Sequence, residues 1–303
     1  MMEWAKRTDG VIFVAMTMLL LLLTATGHTP GRSASIVLLA LGVVLFGLPH
    51  GALDPLVAQR ALDMHSAMGL LLFVLGYALI AAMYGFVWRW SAPVGLATFL
   101  CISAFHFGTD WEQRGRLLTR CAYGLAIVTL PVLHHASETQ HIYAVLSPAA
   151  AERLVQFSRI VALPAALAAC LAAVVQWRVR RSDLLELACI VAGALLLQPL
   201  LYFSCYFCFL HSPRHLLGTA RAEGLTTAKA IAGAAAPATI APVVFGCIFY
   251  FARSGPHALD ESLLQIVFIG LAVLTVPHML LQAVAHTGQR QRESGRHLAV
   301  GDA

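Results

Sequence analysis

Three polar motifs with one shared spacing stand inside strongly apolar sequence: His50-Gly-Ala-Leu-Asp54, His106-Phe-Gly-Thr-Asp110 and His211-Ser-Pro-Arg-His215. Residues four apart on a helix lie on the same face, one turn above the other, so each box can aim an imidazole and a polar partner at one point. Polar groups placed in hydrocarbon are costly and mark functional positions. Four such imidazoles converging inside a membrane suggest a metal centre. Neutral imidazole suits zinc, copper, iron and nickel, and the absence of cysteine from the boxes argues against a structural zinc site. Asp54 and Asp110 could ligate directly. A supporting role fits better, because metal-bound imidazoles usually donate their second N–H to a carboxylate or carbonyl, which fixes tautomer and orientation. The plainer alternative for both is a solvated loop carboxylate at the membrane surface.

The elements that must position these boxes follow from bulk composition. Charged residues make up 12% and apolar ones 59% of the 303 residues, with a mean hydropathy of +0.77, against roughly 25% charged in soluble domains. Apolar runs recur along the chain with no long polar insert. This predicts an all-α, polytopic transmembrane helix bundle forming a single membrane domain over 1–303. Spans are expected at 10–27, 35–50, 67–88, 92–108, 117–134, 155–176, 184–198, 199–217, 228–252 and 262–283, about ten in a range of eight to ten. Pro and Gly inside these runs are tolerable because neighbouring helices re-satisfy the freed backbone groups. Lys6-Arg7 and Thr24-Ala25-Thr26 around the first run resemble a signal peptide, but its length and the runs that follow favour a span. The seven cysteines show no secreted disulfide pattern, and Cys205 and Cys208, set among aromatic residues, read as small apolar filler. The net charge of +5 bears on topology and gives no reason to expect nucleic acid as a partner.

The stretch from Asp183 to Gly218 decides that topology. It is too long for one span, and Gln198-Pro199 sits near its middle. Two spans there give ten in all, with both termini on one side; that side then carries all of the 20 Lys and Arg residues except Arg32, Arg89, Arg153, Arg159 and Arg253. The positive-inside rule makes it the cytoplasmic side of the cell (inner or plasma) membrane. The same count sends the spans carrying His50, His106, His211, His215 and His278 in one direction, so all five fall at similar depth in the cytoplasmic half. The weak point is 184–198, which reaches only about 22 Å at 1.5 Å per residue.

The motifs resemble those of a known family. Gly47-Leu-Pro-His50-Gly-Ala-Leu-Asp54, Phe105-His106-Phe-Gly-Thr-Asp110, Phe209-Leu-His211-Ser-Pro-Arg-His215 and Pro277-His278-Met279, in that order over about 40–285, are similar to the Brp/Blh family. Its members are integral-membrane β-carotene 15,15'-dioxygenases of bacteria and archaea. The resemblance implies cleavage of the central double bond of β-carotene with O2 to give two retinal molecules, at a non-haem Fe(II) held by His50, His106, His211 and His215. It gives His278 no firm role, which leaves that residue, with Asp54 and Asp110, as a near-site candidate. A downstream retinal-binding opsin would be a natural user of the product.

Such chemistry needs one alkene placed beside the iron, and a polyene delivered by the lipid bilayer suits a lateral opening between helices. Tyr202, Phe203, Tyr206, Phe207 and Phe209 could line it, the simpler reading being lipid-facing or packing aromatics. Arg214 should not face the metal and is expected to anchor in the cytoplasm or pair with a carboxylate such as Asp54 or Asp110. His134, His135 and His141 are expected at the far end of the fifth span. His28, His65, His257 and His297 belong to loops or the tail, His286 to the headgroup region, and Asp63 and Glu112 to solvent. Three rival functions remain: a di-iron desaturase or hydroxylase acting on a lipid, a haem-binding carrier, and a proton-relaying membrane protein. The first needs roughly eight ligands including an H-x-x-H-H box, which this chain lacks. Axial haem pairs usually sit on separate helices, and a relay would hold no iron.

Overall fold

The computed structural model describes residues 2–110, 117–175, 181–253 and 259–301, and every regular element among them is helical. In chain order these are α1 (Met2–Ala25), α2 (Arg32–Ala61), α3 (Ala67–Trp90), α4 (Ala92–Asp110), α5 (Leu117–Leu133), α6 (Ala136–Leu146), α7 (Ala151–Val175), α8 (Arg181–Leu196), α9 (199–222), α10 (Ala228–Arg253) and α11 (Leu259–Gly301). Glu112 and His257, assigned to solvent and loop from sequence, lie outside the described residues, as do the side chains of His286 and His297.

The expected apolar stretches are all helical, but they are not equally able to cross a bilayer. Among the described residues, α2, α3, α4, α7, α10 and the Asp260–Ala285 part of α11 are long and apolar enough, which makes six. A seventh follows if α5 and α6, bent by 109° to one another, count as one broken span. The apolar parts of α1 (Gly10–Ala25) and α8 (Leu184–Leu196) are shorter, and α9 carries His211, Arg214, His215 and Arg221 within its 24 residues. Ten spans is therefore more than length and composition establish. The sequence also gave no sign of α6, which takes up His141 as part of a separate short helix.

Outward faces are apolar in the way lipid requires. Leu71, Leu72, Leu75, Leu79, Met83 and Phe86 are exposed on α3, and Ile160, Leu163, Leu167 and Leu171 on α7. Inward, α3 presents Phe73, Tyr77, Tyr84 and Trp88, which share one helix face at spacings of 4 and 7. The main core gathers Ile36, Leu39, Leu96, Ile190, Tyr206, Leu210 and Leu264 from α2, α4, α8, α9 and α11. Two smaller clusters, around Leu53 with Ala220 and around Ala58 with Leu281, close the bundle where α2 meets α9, α10 and α11.

Two irregularities set the site. Helix α2 passes through a π turn at Val43–Gly47, three residues before His50, and α9 passes through another at Phe207–His211. The two turns face each other: a Cβ at Gly47 would come within 2.7 Å of the Phe207 ring, and one at Gly42 within 2.8 Å of Cys208 Sγ. Each π turn inserts one residue and re-aims the side chains that follow, a common device at functional sites. Elsewhere, Gly108 in the second box lets α4 lie directly on α5, since a Cβ there would collide with the Arg120 carbonyl.

Candidate metal centre

The four histidines of the boxes come together in one buried group, and His278 joins them. Between ring centroids, His50 lies 6.2 Å from His106, 5.6 Å from His211, 6.1 Å from His215 and 5.3 Å from His278. His106 is 4.6 Å from His211, 4.9 Å from His215 and 5.4 Å from His278. His211 is 4.7 Å from His215, and His215 is 6.3 Å from His278. With a metal–nitrogen distance of about 2.1 Å, an imidazole centroid sits roughly 3.2 Å from its ion. Two rings on one ion are then about 4.5 Å apart at right angles and about 6.4 Å apart when opposed. All these separations fall in that window. Ligand nitrogens of His50, His106 and His278 lie within 4.8 Å of one another, and so do those of His106, His211 and His215. These buried groups could hold a metal ion.

Hydrogen bonds fix which nitrogen each ring turns inward. His211 Nδ1–H donates to Asp110, 3.2 Å from Oδ1 and 3.1 Å from Oδ2. His278 Nδ1–H donates to Asp54, 2.9 Å from each oxygen. His50 Nδ1–H donates to the Gly47 carbonyl at the end of the π turn. In all three, Nε2 is left with its lone pair, the form a metal takes. His211 Nε2 stands 3.1 Å from His106 Nε2, about the separation of two cis donors around one ion. His215 differs, with Nε2 at 3.3 Å from Thr109 Oγ1, and Thr109 donates in turn to the His106 carbonyl at 2.7 Å.

Both carboxylates are buried, Asp54 at 2% exposure, which removes the loop alternative. Neither serves the histidine of its own box. Asp54 passes its box partner His50 and reaches His278; Asp110 passes His106 and reaches His211. Each also has a tyrosine behind it: the Tyr206 hydroxyl donates to Asp110 Oδ2 at 2.6 Å, and the Tyr77 hydroxyl lies 3.0 Å from Asp54 Oδ2 and 3.2 Å from the Leu274 carbonyl. Sequence reasoning missed Tyr77, although a hydroxyl within the apolar run of α3 was the available signal. Arg214 turns away from the rings as expected. It pairs with the buried Glu186 of α8, with Nη2 at 3.1 Å from both oxygens. Glu186 is an acid within an otherwise apolar stretch, and that was legible too.

Aromatic rings wall the group on one side. Phe207 stacks on His211 at 5.7 Å and 20°, and Phe107 meets the same ring edge-on at 4.8 Å. The series continues away from the histidines through Phe203, 5.3 Å from Phe207, and Phe268, 5.4 Å from Phe203. Phe107, Tyr202, Phe203, Tyr206 and Phe268 line an apolar cavity, open on one side, between α4, α5, α6, α9 and α11. Of the five aromatics expected at a channel, Tyr202, Phe203 and Tyr206 line it; Phe207 covers the histidines, and Phe209 packs on Phe46. His134 is exposed, and His135 pairs with Glu138 instead of entering the group. Exposed His65 pairs with exposed Asp63, His28 touches Thr26, and Cys205 and Cys208 are buried free thiols.

A family model described as beta-carotene 15,15'-dioxygenase matches residues 41–286. The chain is 30% identical over 247 residues to a beta-carotene 15,15'-dioxygenase of uncultured marine bacterium 66A03, covering 79% of this chain and 90% of that protein. It is 27% identical over 302 residues to a probable beta-carotene 15,15'-dioxygenase, Blh, of Halobacterium salinarum, covering 84% and 85% respectively. No solved structure matches.

Proposed function

The chain belongs to the β-carotene 15,15'-dioxygenase family, named Brp/Blh above, and from that premise we propose that it cleaves the central double bond of β-carotene with O2 to give two molecules of retinal. The C=C and O–O bonds are exchanged for two C=O bonds, so O2 is the sole co-reactant and no external reductant is consumed. A desaturase or hydroxylase would need one. The single observation that supports the site reading is the meeting of His50, His106, His211 and His215 in one buried group with metal-like ring spacing.

Those four residues would hold a non-haem Fe(II). The donor set fits: it is all imidazole, largely buried and free of thiolate. When bound, the iron supplies the redox chemistry that brings ground-state O2 to react with an alkene. The protein's own contribution is positional. Asp110 holds the His211 ring by its Nδ1 proton, the Gly47 carbonyl does the same for His50, and Thr109 ties the His106 turn to His215. Phe107 and Phe207 keep water from the reacting alkene, and the apolar cavity beyond Phe107 and Tyr206 takes one arm of the polyene.

The lateral apolar surface supports entry of β-carotene from a lipid bilayer. The charge pattern supports a multi-pass protein of the cell inner membrane with cytoplasmic termini, ten spans and the histidines in the cytoplasmic half. A retinal-binding opsin is the class of protein that would use the product. Expression in β-carotene-producing cells tests the reaction: bleaching with formation of retinal is the expected result. Unchanged carotenoid with folded, iron-loaded protein would refute it.

A further inference from the structure

The His278 ring is 3% exposed, and its Nε2 is buried without a hydrogen-bond partner among the described residues. Its Nδ1 proton is committed to Asp54, at 2.9 Å from both oxygens. Nε2 thus keeps a bare lone pair in a buried position, which is costly unless something electrophilic meets it. The nearest rings are His50, at 5.3 Å, and His106, at 5.4 Å, and the ligand nitrogens of all three lie within 4.8 Å of one another.

The apparatus around this ring duplicates the one around His211. A tyrosine hydroxyl, a buried carboxylate and an Nδ1 proton follow one another in both: Tyr206, Asp110 and His211 from α9 and α4, and Tyr77, Asp54 and His278 from α3, α2 and α11. A carboxylate placed behind an imidazole raises its basicity and locks its aim, which is what metal ligation requires. We infer that His278 is a fifth imidazole donor to the same metal ion, with Asp54 and Tyr77 as its positioning residues. The inference rests on the metal reading above and extends it. The ion would be held by histidines of α2, α4, α9 and α11.

The test uses the full-length chain in detergent, loaded with ferrous iron and examined by metal affinity and X-ray absorption at the iron edge. His278→Gly is expected to weaken iron retention at least tenfold and to remove one imidazole from the iron's shell, and added imidazole is expected to restore both. Affinity and edge spectrum equal to the parent's would overturn the inference. So would a loss of affinity that imidazole does not restore, accompanied by an unchanged shell, because that pattern belongs to a structural role. Should His278→Gly fail to accumulate folded, the parent's own shell decides, and four imidazoles instead of five reject the fifth donor. A parent that binds no iron at all would sink the metal reading itself, whereas a parent with four imidazoles leaves that reading standing.

Discussion

Asp54 holds both of its oxygens 2.9 Å from His278 Nδ1 although the two residues are 224 positions apart. The first box is thereby tied to the last histidine motif, and the histidine group is cross-linked by carboxylates running between boxes. Asp54→Asn and Asp110→Asn should each lower iron retention by about 10–100-fold, because an amide can offer its N–H to Nδ1 and select the wrong tautomer. Metal analysis of the purified variants checks this, and parent-like iron in both would show that the carboxylates only fill space.

The buried histidines and the exposed ones should separate cleanly. His211→Ala is expected to abolish both bound iron and retinal formation. His134→Ala, at an exposed position outside the group, should leave both within about twofold of the parent, in line with ordinary surface substitutions. Paired iron analysis and product chromatography decide the matter, and equal losses from the two would contradict the site.

Ser103 is buried and lines the apolar cavity. Replacing it with Phe should obstruct the arm of the substrate while leaving the iron in place. The expected signature is a β-carotene turnover at least tenfold lower at unchanged iron content. A parent-like rate would exclude the cavity as the polyene's seat.

Gly108 permits the contact between α4 and α5 that carries His106 and Asp110. Gly108→Val drives side-chain atoms into the Arg120 carbonyl, and overpacking of this kind costs about 1–3 kcal/mol. Thermal unfolding in detergent should begin several degrees lower, with iron lost in parallel. Gly218, where a Cβ meets nothing within 4 Å, is the control, and Gly218→Ala should leave the transition unmoved.

The boxes and the apolar runs were legible because both are local. A four-residue spacing and a mean hydropathy need no knowledge of distant chain, and together they singled out His50, His106, His211 and His215, which the structure brings into one group. The cross-box pairing of Asp54 and Asp110 was not legible, because a side chain one turn along a helix shares the face of its neighbour without necessarily pointing at it. The π turns were equally hidden: one inserted residue leaves composition untouched while rotating everything that follows. His278 stood only as a near-site candidate because its motif is short, and its link to Asp54 is one that no spacing rule gives. The number of spans stayed ambiguous for a related reason. Helix α9 carries the centre's polar residues, and they dilute the apolar signal by which a span is recognised.

The pairing of Arg214 with Glu186 has a mechanical reading. Arg214 lies between His211 and His215 in sequence but projects from another side of α9, where the carboxylate on α8 grips it. A helix free to roll by about 20° about its axis would sweep side-chain tips at a radius of roughly 6 Å through about 2 Å, as much as a whole metal–nitrogen bond. The ion pair works as a torque arm. It sets the angular phase of α9, so the aim of two imidazoles is governed by a contact that never touches the reaction.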